Sequence, residues 1–202
     1  MNAISLTPAD ALIVVDVQND FLPGGALGVP HGDEVIEPVR RLVALYRGRG
    51  LPVYASRDWH PAGHVSFRER GGPWPPHCIA GTAGAEFAPG LGLTDGVKVI
   101  SKAVTPDLDA YSAFNGSDLA DELRDRHVER VAVCGLATDY CVLNTVLDAL
   151  TLRFKVIVLP EAMRAVDVVA GDGERALARM VERGAVAASL AGEGLIELAP
   201  TG

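Results

Sequence analysis

The chain has 202 residues, 49% of them hydrophobic, and its 18 basic and 26 acidic side chains leave a formal charge of -8. This length suits one domain with a large core, and an acidic chain without a basic run disfavours nucleic acid and anionic membranes as partners. An odd number of cysteines, no recognisable signal peptide and no run of roughly 20 apolar residues predict a protein of the cytoplasm rather than a disulfide framework or a membrane span.

The predicted elements alternate between apolar strands and amphipathic helices. Six short apolar runs predict strands at residues 11–17, 51–56, 97–101, 130–134, 154–159 and 185–190. Apolar residues with helical spacing predict helices at 35–46, from about 117, after 134 and at 171–183. Because the strands are apolar throughout and helices separate them, we predict a parallel sheet covered on both faces, in a single three-layer α/β domain over residues 1–202.

Residues 58–96 interrupt this alternation. The segment is rich in glycine and proline, contains three of the five histidines and shows little periodicity. It begins at the carboxyl end of the second predicted strand, which is where open α/β sheets bind their ligands. Long irregular insertions within compact domains are usually functional. We therefore predict that residues 58–96 form a metal-binding or lid insertion.

Cys141 is the candidate nucleophile. It follows the fourth predicted strand after a short turn, and Thr138 could cap the helix that begins there, so we expect the thiol in the first helical turn. Free amides and the positive dipole end of a helix stabilise a thiolate and can hold the oxyanion of a tetrahedral intermediate. A buried structural cysteine is the alternative. Of the other thiols, Cys134 is predicted to be core and Cys78 to be scaffold.

Two charged residues stand at the ends of other predicted strands, Asp16 at the end of the first and Lys102 just after the third. Since parallel strands end at one edge of the sheet, we expect both to converge with Cys141 there. A carboxylate can take the thiol proton, while an ammonium lowers the thiol pKa and steadies the carboxylate. Each charge alone also fits a capping or solvated role. The three together predict an amide-cleaving site.

A metal site is predicted within the irregular segment. Asp58 and His60 are two residues apart, so an extended backbone directs both side chains to one side, and His77 follows further along. Mixed aspartate and histidine ligation suits zinc, iron or manganese. Solvated polar side chains are the alternative. Proline and glycine between His60 and His64 argue against a helical histidine pair, which makes His64 the weaker candidate ligand.

Three aromatic residues, Phe21, Trp74 and Tyr111, stand near turn or loop signals rather than within the apolar strand runs. Each of them alone is more typical of packing than of ligand contact. Together they offer faces on which a flat aromatic ring can stack. We therefore include all three as candidate substrate-binding residues.

A series of short motifs extends along almost the whole chain. In order they are VDVQNDF at 15–21, DWHP at 58–61, SF at 66–67, WPPHC at 74–78, Lys102, YSAF at 111–114 and GLATDYCV at 135–142. With these motifs the chain resembles the nicotinamidase/pyrazinamidase branch of the isochorismatase-like cysteine hydrolases. One such motif is moderately informative, whereas all of them in this order are specific.

The resemblance implies a Rossmann-like isochorismatase fold, with three α/β/α layers around a mainly parallel sheet of about six strands. It implies hydrolysis of nicotinamide to nicotinate and ammonia in NAD salvage, and of pyrazinamide to pyrazinoate, through a cysteine thioester. By motif, Asp16 would be the general acid and base, Lys102 its electrostatic partner and Cys141 the nucleophile. The resemblance leaves the oligomeric state open, a homo-oligomer included.

The resemblance also implies how metal and substrate are held. One divalent ion, zinc or iron and alternatively manganese, would be bound by Asp58, His60 and His77, with His64 a ligand in some relatives only. A cis peptide between Leu136 and Ala137 is expected to aim the amides of Ala137 and Cys141 at the oxyanion. Ala137 thereby joins the candidate substrate-binding residues.

The chain departs from the family pattern at Ala103, where glycine is usual, and at Glu161 and Met163, where relatives often carry aspartate and a small or thiol residue. None of these changes removes a reacting group, but they leave the preference between nicotinamide and pyrazinamide open. The alternative functions are a metal-free amidohydrolase of N-carbamoyl or ureido substrates, an isochorismatase-type ether hydrolase, a metallohydrolase that needs no thiol, and a non-catalytic α/β binding module.

Overall fold

The structure, a computed structural model, describes residues 3–191 and 195–198, and its strands form one eight-stranded sheet. The strands are β1 Ala3–Ile4, β2 Asp10–Val15, β3 Val53–Asp58, β4 Lys98–Lys102, β5 Arg130–Leu136, β6 Lys155–Arg164, β7 Val186–Ala191 and β8 Leu195–Leu198. The α-helices are α1 Ile36–Gly48, α2 Leu119–Asp125, α3 Leu143–Thr151 and α4 Asp172–Glu182. None of the helices described is long and apolar enough to cross a bilayer.

The sheet is parallel over most of its width. Its strand order is β1-β8-β7-β6-β5-β2-β3-β4, and every pairing from β7 across to β4 is parallel. These are the six predicted strands, so the predicted mainly parallel sheet is confirmed. Two further short strands at one edge, β1 and β8, pair antiparallel with each other, and β8 also pairs antiparallel with β7. The sequence pattern does not predict these two strands.

Apolar residues on successive positions of β2 face opposite layers. Leu12 and Val14 belong to a buried cluster that includes the apolar face of α1, whereas Ile13 and Val15 belong to a second cluster with α3 and α4. Alternating side chains point to opposite faces of a strand, so helices cover the sheet on both sides. The predicted three-layer α/β/α architecture is confirmed.

The central strands β5, β2, β3 and β4 are neighbours and run in the same direction, so their carboxyl ends meet at one rim. β2 stops at Val15, two residues earlier than predicted, because Asp16 has a left-handed backbone (φ 48°) that turns the chain away. Asp58 and Lys102 are the last residues of β3 and β4 and lie opposite each other in the register. The topology thus collects the predicted charged residues at one place.

The irregular segment 58–96 is folded against this rim. It contains short 3-10 turns at Arg68–Arg70 and Ala83–Ala85. The chain also returns beside His60, whose N–H donates to the Cys78 carbonyl at 3.0 Å and whose carbonyl accepts from Ala80 N–H at 2.8 Å. This return brings the end of β3 next to the segment that carries His77.

Gly135 allows the closest approach between β5 and β2. It has φ +117°, and a Cβ placed there would lie 2.1 Å from the carbonyl oxygen of Val15. Gly135→Ala is therefore expected to lower the free energy of unfolding by about 3 kcal/mol or more, measured by urea denaturation. The matched control is Gly48→Ala in α1, where an added Cβ meets nothing within 4 Å. A cost for Gly135→Ala no larger than for the control would contradict this packing.

Candidate active site and metal centre

Lys102 lies between the other two predicted catalytic side chains. Its Nζ is 2.9 Å from Asp16 Oδ2 and 3.5 Å from Cys141 Sγ, and it donates to the Ala110 carbonyl at 3.2 Å. The same ammonium also contacts the carboxylate of Asp58. All of these side chains are buried, and one ligand atom from each of Asp16, Asp58 and Cys141 lies within 4.8 Å of the others. The structure thus brings the sulfur, the carboxylate and the amine into contact range.

Two side chains fix the Asp16 carboxylate from different directions. Ser56 in β3 donates its hydroxyl to Oδ1 at 2.7 Å, and Lys102 faces Oδ2. Burial raises the pKa of Asp16 above its usual value, and the Lys102 ammonium opposes that rise. A carboxyl group whose pKa is raised in this way is a better proton acceptor than an ordinary surface aspartate.

The Lys102 ammonium remains charged at this buried position. Burial alone would lower its pKa, but the carboxylates of Asp16 and Asp58 raise it, and the net result is well above the usual value. Burial would raise the pKa of Asp58, yet the net direction is downward because Lys102 and His60 stabilise the carboxylate. The single Lys102 ammonium thus stabilises two carboxylates, those of Asp16 and Asp58.

Cys141 lies in a π-helical turn, Thr138–Val142, between β5 and α3. The N-cap position belongs to Ala137, and no side chain caps the turn, so the prediction that Thr138 caps this helix is wrong. Burial raises the pKa of the Cys141 thiol well above its usual value, outweighing the lowering effect of Lys102. The thiol therefore needs a base during the reaction, which is the role expected of Asp16.

The peptide bond between Leu136 and Ala137 is cis, as the resemblance implies. The Ala137 carbonyl accepts hydrogen bonds from the N–H groups of Tyr140 and Val142, both at 3.1 Å. Ala137 and Cys141 both line the same small cavity. The turn thus brings Ala137 and Cys141 to the wall of one cavity.

Asp58, His60 and His77 form a buried group with the chemistry of a metal site. Each offers one ligand atom within 4.8 Å of the others, and His60 Nε2 and His77 Nε2 lie 3.6 and 4.0 Å from Asp58 Oδ2. Both ring nitrogens of His60 are buried without a hydrogen-bond partner among the residues described. Since buried polar atoms are rarely left unpaired, a divalent cation fits this set.

His77 is also in the tautomer that a metal-binding histidine requires. Its Nδ1 lies 2.8 Å from the Pro75 carbonyl, which only accepts, so Nδ1 must carry the proton and Nε2 keeps its lone pair. Burial lowers the pKa of His77, which favours this neutral form. A hydrogen bond that fixes the second ring nitrogen is typical of metal-binding histidines.

His64 lies beside this group, but both of its ring nitrogens have other hydrogen-bond partners. Its Nε2 bonds the Leu108 carbonyl at 3.0 Å, and its Nδ1 is 2.7 Å from the Ser66 hydroxyl. Both ring nitrogens are thus occupied, and the ring stacks on His60 with centroids 4.3 Å apart. The structure therefore disfavours His64 as a ligand.

Aromatic side chains line the cavity that opens onto Cys141. Phe21, Trp74 and Tyr111 are all part of its wall, as predicted, together with Asp58 and His77. Trp74 Nε1 donates to the Tyr111 hydroxyl at 3.1 Å, which fixes the two rings relative to each other. The arrangement suits a small flat molecule with its reacting group at the sulfur.

Four residues of this region did not enter the predicted site: Gln18, Asp20, Ser56 and Tyr140. The Tyr140 ring packs edge-on against Trp74, with centroids 5.0 Å apart, and lines the cavity. Asp20 accepts the Cys78 N–H at 2.7 Å, next to His77. The only sequence signal for Gln18, Asp20 and Tyr140 is their place in the quoted motifs, and Ser56 is an ordinary strand residue with no such signal.

The three departures from the family pattern lie outside the reacting centre. Ala103 adopts a left-handed backbone (φ 52°), a conformation that glycine favours. The Glu161 carboxylate accepts the Leu190 N–H, and Met163 is buried in the cluster that also contains Cys141. Each substitution is therefore accommodated without displacing a predicted catalytic or metal-binding side chain.

A parallel α/β sheet that joins a buried thiol, carboxylate and ammonium at one rim defines a cysteine hydrolase. The chain belongs to the isochorismatase family, whose domain matches residues 10–192. It is 41% identical to the nicotinamidase of Escherichia coli strain K12 over 91% of this chain and 96% of that relative.

Solved structures show the same relationship. A pyrazinamidase of Pyrococcus horikoshii in complex with zinc is similar with a TM-score of 0.87 and 49% identity, over 90% of this chain and 99% of that one. PnC1 from L. infantum in complex with nicotinate is similar with a TM-score of 0.86 and 38% identity, over 93% and 96% of the two chains. The predicted isochorismatase-type fold is confirmed.

Proposed function

We propose that this chain hydrolyses nicotinamide to nicotinate and ammonia, and accepts pyrazinamide in the same cavity. The observation that carries the proposal is the Lys102 ammonium, which lies 2.9 Å from Asp16 and 3.5 Å from Cys141. Cys141 in turn lines a cavity with aromatic walls. The likeness to nicotinamidases and pyrazinamidases supports the choice of substrate. The product nicotinate would enter NAD salvage. The free buried cysteines fit a cytoplasmic location.

In the first half-reaction, Asp16 takes the proton of the Cys141 thiol as the sulfur attacks the carboxamide carbon. The C–S bond forms, and the amides of Ala137 and Cys141 would hold the negative oxygen. Lys102 keeps its charge and stabilises the anionic sulfur as the proton leaves. The protonated Asp16 then donates to the nitrogen, the C–N bond breaks and ammonia departs, which leaves a thioester.

In the second half-reaction, water attacks the thioester and Asp16 again acts as the base. The C–S bond breaks, Asp16 returns its proton to the Cys141 sulfur, and nicotinate leaves. The same carboxyl group thus serves as acid and base in turn, which a raised pKa favours. Phe21, Trp74 and Tyr111 would hold the ring throughout, so that the carboxamide stays at the sulfur.

Asp58, His60 and His77 would hold one divalent cation, with zinc, iron and manganese as the candidates. When bound, the cation supplies a Lewis acid that orients and polarises a donor atom in the cavity. The Asp58 carboxylate would then have two partners, the cation and Lys102, which couples the position of the ammonium to the metal site. The zinc in the P. horikoshii pyrazinamidase supports zinc as the first candidate.

Chelation is expected to lower ammonia release from nicotinamide strongly, and added zinc, iron(II) or manganese is expected to restore it. The reason is that Asp58 and His77 line the cavity, and that without a cation both ring nitrogens of His60 stay buried without a partner among the residues described. The assay measures ammonia release together with the metal content per chain. Unchanged turnover by protein shown to be metal-free would contradict a metal role and favour an N-carbamoyl or ureido amidohydrolase, which the same assay can test with those substrates.

A further inference from the structure

Gln18 is a fully buried polar residue that the proposed reaction does not use. It follows Asp16 by two residues, in the stretch where the chain turns away from the end of β2. Its backbone N–H donates to the Asp16 carbonyl at 2.9 Å, which holds the turn. Its side-chain amide reaches instead towards the end of β3.

The side-chain amide of Gln18 continues the hydrogen-bond ladder between β2 and β3. The register of these strands ends at Val15 and Ser56, and the last backbone bond runs from Asp16 N–H to the Ser56 carbonyl at 3.1 Å. Beyond that point, Gln18 Oε1 accepts the Asp58 N–H and Gln18 Nε2 donates to the Asp58 carbonyl, both at 2.8 Å. A side chain thereby replaces the missing strand residue opposite Asp58.

The second Nε2 proton of Gln18 has a partner of its own. It is donated to the Ala85 carbonyl at 2.8 Å, in the 3-10 turn of the irregular segment. Both donors and the acceptor of the amide are therefore in use, and they tie Gln18 to two other stretches of the chain, at Asp58 and at Ala85. A carboxylate at this position has no proton to donate at neutral pH, and an asparagine is one methylene shorter.

From this geometry we infer that Gln18 is a positioning residue for Asp58. By holding both backbone groups of Asp58, it sets the direction in which the carboxylate leaves the chain, towards Lys102 on one side and His60 and His77 on the other. The inference rests on the proposed function for the identity of Asp58 as a metal ligand. Gln18 itself touches neither the ligand atoms nor the sulfur.

The test is the zinc affinity of metal-free Gln18→Glu, measured by competition with a chromogenic chelator. The variant keeps the size of the side chain and the acceptor for the Asp58 N–H but loses both donors. Its zinc affinity is expected to fall by about 10- to 100-fold, the usual effect of losing a group that orients a ligand. Gln18→Met, which adds no charge, is expected to show a loss of similar size and serves if Gln18→Glu does not fold.

Two controls separate positioning from a general loss of stability. Asn19→Ala removes a neighbouring bond, from Asn19 Nδ2 to the Ala83 carbonyl at 2.8 Å, which tethers the same turn without touching Asp58. Val39→Ala opens the core under α1, at a residue with no hydrogen bond to Gln18 or Asp58 through its side chain. Both variants are expected to keep zinc affinity within about twofold of the parent, although their unfolding midpoints fall.

The outcomes distinguish this inference from the proposed function. If the parent protein binds no zinc, iron or manganese, the proposed metal centre fails and the inference fails with it. If the parent binds zinc and both Gln18 variants bind it equally well, the positioning role is overturned while the metal centre stands. Equal losses in the Gln18 variants and in Val39→Ala would likewise overturn it, because the effect would then follow stability alone.

Discussion

Replacing Cys141 with alanine is expected to reduce ammonia release from nicotinamide by at least about a thousandfold while the protein stays folded and binds its metal. Alanine retains the backbone of the turn and its amides but has no sulfur to attack the carboxamide. Asp16 and Lys102 still pair with each other at 2.9 Å, so the buried charges remain compensated. The measurements are single-turnover and steady-state ammonia release, metal content and the circular dichroism spectrum.

Cys134→Ala is the matched control for this prediction. Cys134 is also fully buried, but it lies within β5 and its sulfur faces the Ile13 carbonyl at 3.9 Å rather than the cavity. The control is expected to lose some stability, as for any small cavity in a core, and to keep its turnover. Substantial amidase activity in Cys141→Ala would show that the hydrolysis does not pass through a thioester and would favour a metallohydrolase that needs no thiol.

The central strands could be predicted because they are buried on both faces. Residues 11–15 and 131–134 are continuously apolar, and the structure pairs them with each other in the centre of the sheet. β1 was missed because it has only two residues, and β8 because it is four residues long and lies near the edge. β6 extends five residues beyond its predicted end at Leu159, where an irregular register with β5 lets it continue past Pro160.

The convergence of Asp16, Lys102 and Cys141 was predictable because topology alone places strand ends together. Asp58 and His60 likewise follow from local spacing at the end of a strand. The contacts that hold these residues were not predictable in the same way. The bonds from Gln18 to Asp58 and from Ser56 to Asp16 both join residues 40 positions apart, and polar side chains show no periodicity that would reveal such partners.

The charge state of the Cys141 sulfur could not be predicted from the local elements alone. The helical turn and the nearby ammonium both favour a thiolate at Cys141, and the sequence reveals both. The depth of burial depends on the whole fold, and here burial outweighs the 3.5 Å contact with Lys102 and raises the pKa. Asp16 therefore has to remove the proton in the reaction itself, which is the role of base already expected for it from the sequence.

Lys102→Met is expected to lower the free energy of unfolding of the metal-free protein by about 3–5 kcal/mol and to abolish turnover. The variant removes the cation that contacts both Asp16 and Asp58, and the two carboxylates remain buried near each other. Without Lys102, burial and the neighbouring carboxylate raise the pKa of Asp16 further. The measurement is urea denaturation of metal-free protein at several pH values.

The direction of the pH dependence gives this prediction a second test. A carboxyl group whose pKa is raised in the folded state makes that state bind more protons than the unfolded chain. The deficit of Lys102→Met should therefore shrink as the pH falls from 7 towards the ordinary pKa of aspartate, about 4. Adding Asp16→Asn should recover part of the stability at pH 7, but no activity.

Lys98→Met is the control from the same strand. Lys98 contacts Asp118 and Glu122 at a partly exposed position, where ion pairs contribute about 1 kcal/mol or less. If Lys102→Met cost no more than this control at every pH, the ammonium would not be what keeps the two carboxylates stable in the interior. The electrostatic part of the proposed mechanism would then lose its basis. Lys102 is the group that opposes the raised pKa of both Asp16 and Cys141, and it would have no measurable effect on the stability of the site.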